Sequence, residues 1–151
     1  QKIACPFSFL FPIGYNILMP TNLLLIIILA VIGIINTSYL SYHTIKKTPV
    51  KCIFFPPEQC LKVQQSKFSR TLGFPNSFAG FGMYVGLLVL SILFAAGTLQ
   101  VFWPISLIIW FGFIFSLYFL FIQAFVLRAF CTWCVLSFIE FTSLFIINLV
   151  R

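Results

Sequence analysis

The chain has 151 residues, 62% of them hydrophobic and only 7% charged, with a formal net charge of +7. Water-soluble domains carry about 25% charged residues, and a soluble helical bundle needs polar outer faces that the long segments here do not provide. The positive charge does not mark a nucleic-acid binder: Lys46, Lys47, Lys51, Lys62, Lys67 and Arg70 all fall in one stretch between apolar segments, where attraction to anionic membrane lipid is the better default.

Residues 1–21 form an apolar lead-in broken by Pro6, Pro12 and Gly14. No charged leader with a small-residue cleavage site is evident, so no signal peptide is read and an interfacial segment is expected. Cys5 lies here and has no assigned role. Asn22–Tyr42 is the first predicted span, Phe78–Leu99 the second, Val101 to roughly Leu127 the third and Phe130–Val150 the fourth. At a rise of ~1.5 Å per residue each covers the ~30 Å hydrocarbon core of a bilayer. Gly97-Thr98-Leu99-Gln100 separates spans two and three, with Trp103 as an interface anchor and Pro104 tolerated in the first turn that follows. The predicted fold is an all-α integral membrane protein: a four-helix transmembrane bundle over residues 22–151 with one extended loop, residues 44–77, outside the cytoplasm.

Cysteines punctuate the two connections on one side of this bundle. Cys52 and Cys60 sit in the loop with seven residues between them, enclosing Pro56-Pro57; the prolines predict a stiffened but non-helical segment. Cys131-Thr132-Trp133-Cys134 opens the fourth span. In an up-down bundle both pairs share one membrane face. At a helix start, the free amides, the dipole and nearby Arg128 favour thiolate. Redox exchange, inert structural disulfides and a four-thiolate metal site all remain open, although the wide Cys52–Cys60 spacing fits zinc poorly. Two criteria for the side conflict. The count of basic residues places the loop in the cytoplasm, whereas persistent disulfides belong in an oxidising compartment; the redox criterion is preferred. Glu140, inside the fourth span, is either a proton acceptor or a protonated, hydrogen-bonded group. Gly82-x-x-x-Gly86 predicts close helix approach, for packing or for an isoprenoid slot.

Tyr39-Leu-Ser-Tyr42, Cys52-(x7)-Cys60, Ser66, Gly73-Phe-Pro-Asn-Ser77 with Gly80, and Cys131-Thr-Trp-Cys134 with Ser137 follow one another in an order that resembles the vitamin K epoxide reductase family, over about Asn22 to Val150. Other tetraspan quinone reductases with two cysteine pairs carry their C-x-x-C in the first loop. The resemblance implies a membrane thiol:quinone oxidoreductase supporting disulfide formation. Cys52 then corresponds to the cysteine that meets a thioredoxin-like protein partner. Cys60 corresponds to the shuttle and Cys131 to the relay cysteine of the C-x-x-C. Cys134 corresponds to the residue facing a quinone of ubiquinone, menaquinone or phylloquinone (vitamin K) type. Polar contacts to that quinone are expected from Asn76, as donor to a carbonyl, and from Ser66, Tyr84 and Ser137. Phe138 replaces the Tyr of vertebrate members, and Trp133 and Ser137 resemble bacterial and plant members. Disulfide formation is therefore favoured over vitamin K epoxide reduction. Many bacterial members have a fused thioredoxin-like domain; the sequence ends at Arg151 with none, so the partner is expected to be a separate protein or a domain that was removed. A bacterial inner membrane with periplasmic cysteines is the expected location, with an endoplasmic reticulum membrane and lumenal cysteines as the alternative.

Overall fold

The computed structural model of the protein describes residues 21–71 and 73–151. Cys5 and nearly all of the expected interfacial lead-in lie outside the described residues. Four apolar helices are long enough to cross a membrane: α1 Thr21–Lys46, α3 Asn76–Ala95, α4 Trp103–Phe121 and α5 Thr132–Val150. The polar connection between α1 and α3 holds a short helix, α2 Pro57–Gln65. After it come a single 3-10 turn, Lys67–Ser69, and a two-stranded antiparallel ladder, β1 Arg70–Thr71 with β2 Phe74–Pro75. The fold is an all-α membrane bundle.

Helices form throughout the spans because lipid supplies no partner for a free amide or carbonyl. Their bounds depart from the hydropathy limits. The first helix continues past Tyr42 to Lys46, because hydropathy marks where lipid contact ends and not where backbone hydrogen bonding must stop. Helix α3 closes at Ala95, followed by Gly97 in the left-handed region at φ 74°, the conformation a helix C-terminus favours in glycine. Pro104 falls in the first turn of α4, where its missing N–H costs nothing. The same logic corrects the expectation for the cysteine loop. Its Pro56-Pro57 does not hold an extended, non-helical segment: Pro57 starts α2, with Glu58 in the first turn and Lys62 in the last, each suited to the local end of the dipole. Cys60 therefore rides on a helix.

The four spans pack as a ring in which α1 touches α3 and α5, and α4 touches the same two. Their outer faces expose Ile35, Phe111, Ile114 and Leu149, the surface a bilayer would cover. The interior core is Ile26, Ala30, Tyr84, Leu87, Ile105, Ile109, Phe141 and Leu144. Between helices in lipid, close packing replaces the hydrophobic drive, and small residues permit it. Here Gly33 of α1 lies against the Tyr84 ring and Gly112 of α4 against the Phe141 ring, so that a Cβ at either glycine would overlap an aromatic side chain. Tyr84 and Phe141 stack on each other with centroids 4.7 Å apart. The close approach expected of Gly82-x-x-x-Gly86 is not found: a Cβ at Gly82 meets nothing within 4 Å, and one at Gly86 makes only ordinary contact with Ile108.

Gly33→Ala and Gly112→Ala are expected to lower the unfolding temperature in detergent, each by an overpacking cost of about 1–3 kcal/mol. Gly82→Ala is expected to stay within about 0.5 kcal/mol of the native chain. The reverse ranking would show that the Tyr84–Phe141 stack does not set the helix spacing.

Candidate redox site at the membrane face

Cys52 and Cys60 are joined in a disulfide, with Cα atoms 6.3 Å apart, while Cys131 and Cys134 are free thiols. Cys60 and Cys131 are both fully buried, and they belong to one apolar cluster with Val63 and Ala129. Cys52, Trp133 and Cys134 pack against that cluster. Two cysteine pairs from distant stretches of chain thus meet at one end of the bundle.

Contacts on both sides of each pair clasp them together. Trp133 Nε1 donates to the Lys51 carbonyl at 2.9 Å. Phe54 N donates to Thr132 Oγ1 at 3.3 Å, and Phe130 N to Gln59 Oε1 at 3.3 Å. Phe55 stacks on Phe130, centroids 5.6 Å apart, and Tyr39 of α1 packs on Trp133 at 4.6 Å. The residues next to Cys52 and Cys60 are therefore bonded to the residues next to Cys131. Three backbone-to-side-chain hydrogen bonds and two aromatic contacts thus orient the loop at one face.

The approach to Cys131 is built by a feature absent from the sequence reading. The third span does not run as α-helix to Leu127; from Ile122 to Leu127 it widens into a π-helix and ends at Arg128 in the left-handed region, φ 48°. Such π segments recur at functional sites. Gln123, in the widened turn, is buried. Its side-chain oxygen accepts from Cys131 N at 2.9 Å, and its carbonyl accepts from the amides of Arg128 and Ala129. One buried glutamine therefore fixes the strand of chain that delivers Cys131 to the start of α5. Cys131 itself is extended, φ −109°, and its carbonyl accepts from Cys134 N and Val135 N.

The Cys131 thiol is pulled down to about 7. The hydrogen bond from the Cys134 thiol contributes most, and the amides of Cys134 and Trp133 at the helix start and the Gln64 side chain add to it; burial opposes them. The helix-start amides expected from the sequence do act here, whereas Arg128 is not among the causes. A cysteine half-ionised near neutral pH is a competent leaving group and nucleophile in thiol exchange.

The match that decides the family covers residues 24–149, which fit the model of the vitamin K epoxide reductase family. The chain belongs to the vitamin K epoxide reductase family. No curated protein matches it. Membership implies a multi-pass membrane oxidoreductase of the thiol/quinone type.

In this family member two cavities meet at Cys134. The larger, about 780 Å³, opens among the end of α1, α2, the start of α3 and Cys134. The smaller, about 80 Å³, lies deeper between the four spans. Leu40, Asn76, Ser77, Phe119 and Cys134 line both. The four expected quinone contacts divide between them. Ser66 lines only the outer cavity, Tyr84 and Ser137 only the inner one, and Asn76 both. Most of their polar groups are already engaged. Asn76 Nδ2 donates to the Phe68 carbonyl and its Oδ1 accepts from Thr71 Oγ1, both at 2.7 Å, so this amide pins the ladder segment onto α3. Ser66 Oγ donates to the Val63 carbonyl at 2.7 Å. Ser137 Oγ accepts from Asn36 Nδ2 at 2.9 Å, and Tyr84 OH donates to Glu140 Oε2 at 2.7 Å. The unengaged groups are two that the sequence reading passed over. Gln64 Nε2, lining the outer cavity, and Ser77 Oγ, lining both, are buried without a well-formed hydrogen bond among the described residues, and the Gln64 side chain also lies beside the Cys131 thiol. No motif singles out either residue; only their orientation does.

Titrating the protein with its C-x-x-C reduced should give a thiolate ultraviolet absorbance step with midpoint near pH 7, the value at which Cys131 ionises. The thiol holds its proton below that pH and is ionised above it. The step should vanish in Cys131→Ala and move to higher pH in Cys134→Ala, which removes the largest lowering contribution; an unmoved midpoint would contradict the assignment. Separately, Gln123→Leu leaves the buried Cys131 amide without an acceptor, so a loss of about 1–3 kcal/mol in detergent unfolding is expected.

Proposed function

We propose that the protein oxidises a reduced thioredoxin-like dithiol protein and passes the electrons through its two cysteine pairs to a lipid-soluble quinone. The observation that carries this reading is the burial of Cys60 and Cys131 in one cluster at the end of a membrane bundle, one pair closed and the other open. The protein in this state has an oxidised loop pair able to accept electrons and a reduced C-x-x-C able to give them.

Chemistry follows from thiolate attack on disulfides. A partner thiolate attacks Cys52 of the closed loop pair, forming a mixed disulfide and releasing Cys60. The partner's second thiol resolves the mixed disulfide and leaves oxidised. Cys60 then attacks Cys131 of an oxidised C-x-x-C and releases Cys134. Cys52 attacks Cys60, restoring the loop disulfide and releasing Cys131 as the thiolate its environment favours. Two electrons now reside on Cys131 and Cys134. A bound quinone supplies the acceptor for those two electrons and two protons. The outer cavity supports its binding here: its volume is in the range of small-molecule sites, about 300–1,000 Å³. Gln64 Nε2 and Ser77 Oγ, the buried groups without partners, suit carbonyl oxygens, and Asn76 holds the cavity's rim in place. In this proposal the cysteines face an oxidising compartment, the periplasmic side of a bacterial inner membrane, because a persistent Cys52–Cys60 disulfide needs one. Trp133 and Ser137, which resemble bacterial and plant members, favour disulfide formation over epoxide reduction.

With purified protein, a reduced thioredoxin-like dithiol and a quinone followed by absorbance, quinol formation should require all four cysteines. Cys134→Ser should stop quinol formation yet still permit a mixed disulfide through Cys52. If Cys134→Ser oxidised the dithiol at the native rate, the cysteines would be structural staples and the proposal wrong.

A further inference from the structure

Beneath Cys134 the inner cavity leads to a buried pair that the thiol exchange above does not use. Tyr84 is fully buried, and its hydroxyl donates to Glu140 Oε2 at 2.7 Å. Glu140 is also buried, and its second oxygen, Oε1, has no hydrogen-bond partner among the described residues. A carboxyl retained for structure alone has its oxygens satisfied; this one is half satisfied, inside a membrane span, where ionisable groups are costly and mark function by default. Tyr84 and Cys134 line the same cavity, and about 80 Å³ is room enough for water between them. The titratable groups at this place are Cys134 and Glu140 of α5, Tyr84 of α3, and Cys131, whose thiol bonds to that of Cys134. Helix α1 brings Asn36 and Thr37, and α4 brings Gly112 and Ser116, none of which titrates.

We propose that Tyr84 and Glu140 form an intramembrane proton relay that takes the Cys134 thiol proton and holds it on Glu140 until the dithiol is oxidised. This rests on the thiol:quinone reading and adds the proton path to it. Because the Tyr84 hydrogen points at Glu140, its oxygen accepts from the cavity side, where the Ser137 hydroxyl also lies. A proton leaves Cys134 Sγ, directly or through cavity water, and arrives on Tyr84 Oη. The original Tyr84 proton moves to Glu140 Oε2. Tyr84 ends as a phenol, Glu140 as a neutral acid and Cys134 as a thiolate. One negative charge has moved from carboxyl to sulfur, and the buried cluster gains none. That exchange avoids placing a second uncompensated charge in a low-dielectric interior, which would be far more costly. In the complete reaction, the Cys131 thiolate and the Cys134 thiol, with quinone and one proton from solvent, give the Cys131–Cys134 disulfide plus quinol, and the proton held on Glu140 returns through Tyr84 as the other of the two that the product carries.

Glu140→Gln tests this in the full chain, because its amide oxygen still accepts from Tyr84 while the side chain can no longer take up a proton. Tyr84→Phe, which keeps the ring packed, is the second variant should the first fail to fold. With no quinone present, reducing the C-x-x-C disulfide of the native protein should bring a carboxylic-acid C=O infrared band together with the Cys134 thiolate signal. The band should be absent in Glu140→Gln and in Cys134→Ser. With quinone, single-turnover quinol formation should slow about 100-fold in both relay variants, the scale of general acid–base catalysis, with quinone KM unchanged. Native rates in Glu140→Gln, or no carboxyl band in the native protein, would overturn the relay. Should the native chain form no quinol at all, the functional proposal fails while the infrared arm still decides whether Cys134 and Glu140 exchange a proton.

Discussion

The joint burial of Cys60 and Cys131 is the contact on which the rest depends. One sulfur sits on a short helix outside the membrane and the other at the entrance to a span. Neither segment would hold that position alone. The loop is fixed by the hydrogen bonds and aromatic stacks that join its residues 51–59 to Phe130, Thr132 and Trp133. The span entrance is fixed from the other side by Gln123. A dithiol that must accept from a water-soluble partner and give to a lipid-soluble one has to stand at the boundary between the two solvents, and this clasp puts it there.

The membrane sets the terms for everything beneath that boundary. Spanning helices satisfy their own backbones, so their mutual position is decided by side-chain shape. In this bundle the Tyr84–Phe141 stack fills the space that Gly33 and Gly112 leave open. The same tyrosine carries the hydroxyl bonded to Glu140. Packing and polar chemistry therefore share one residue at the centre of the fold, and the inner cavity exists because that residue and Cys134 approach from different helices.

Much of this was legible in the chain. Charge-free stretches gave the four spans, Gly97 and Pro104 marked the turn between two of them, and the order of the cysteine pairs pointed to the family. The placement of both pairs at one end follows from counting spans. Less legible were features whose signals are short or ambiguous. Pro56-Pro57 reads as a stiffened, non-helical segment, whereas Pro57 starts a helix that packs Cys60 and Val63 against Ala129 and Cys131. The π-helix at Ile122–Leu127 lies within an unbroken apolar run with nothing in composition to mark it. Gly82-x-x-x-Gly86 has the spacing of a packing motif, but Gly82 faces open space and Gly86 only ordinary contact with Ile108, while the glycines that matter stand alone in their helices.

What the sequence determined by itself was the solvent of each segment and the inventory of reactive groups, because transfer free energy and residue chemistry are local properties that can be read residue by residue. Tertiary structure decided which groups meet. Gln123 with the Cys131 amide, Tyr84 with Glu140, and the unengaged Gln64 and Ser77 beside Cys134 are relations between distant segments. They depend on helix rotation and on the shape of neighbouring side chains, which hydropathy averaged along the chain does not contain.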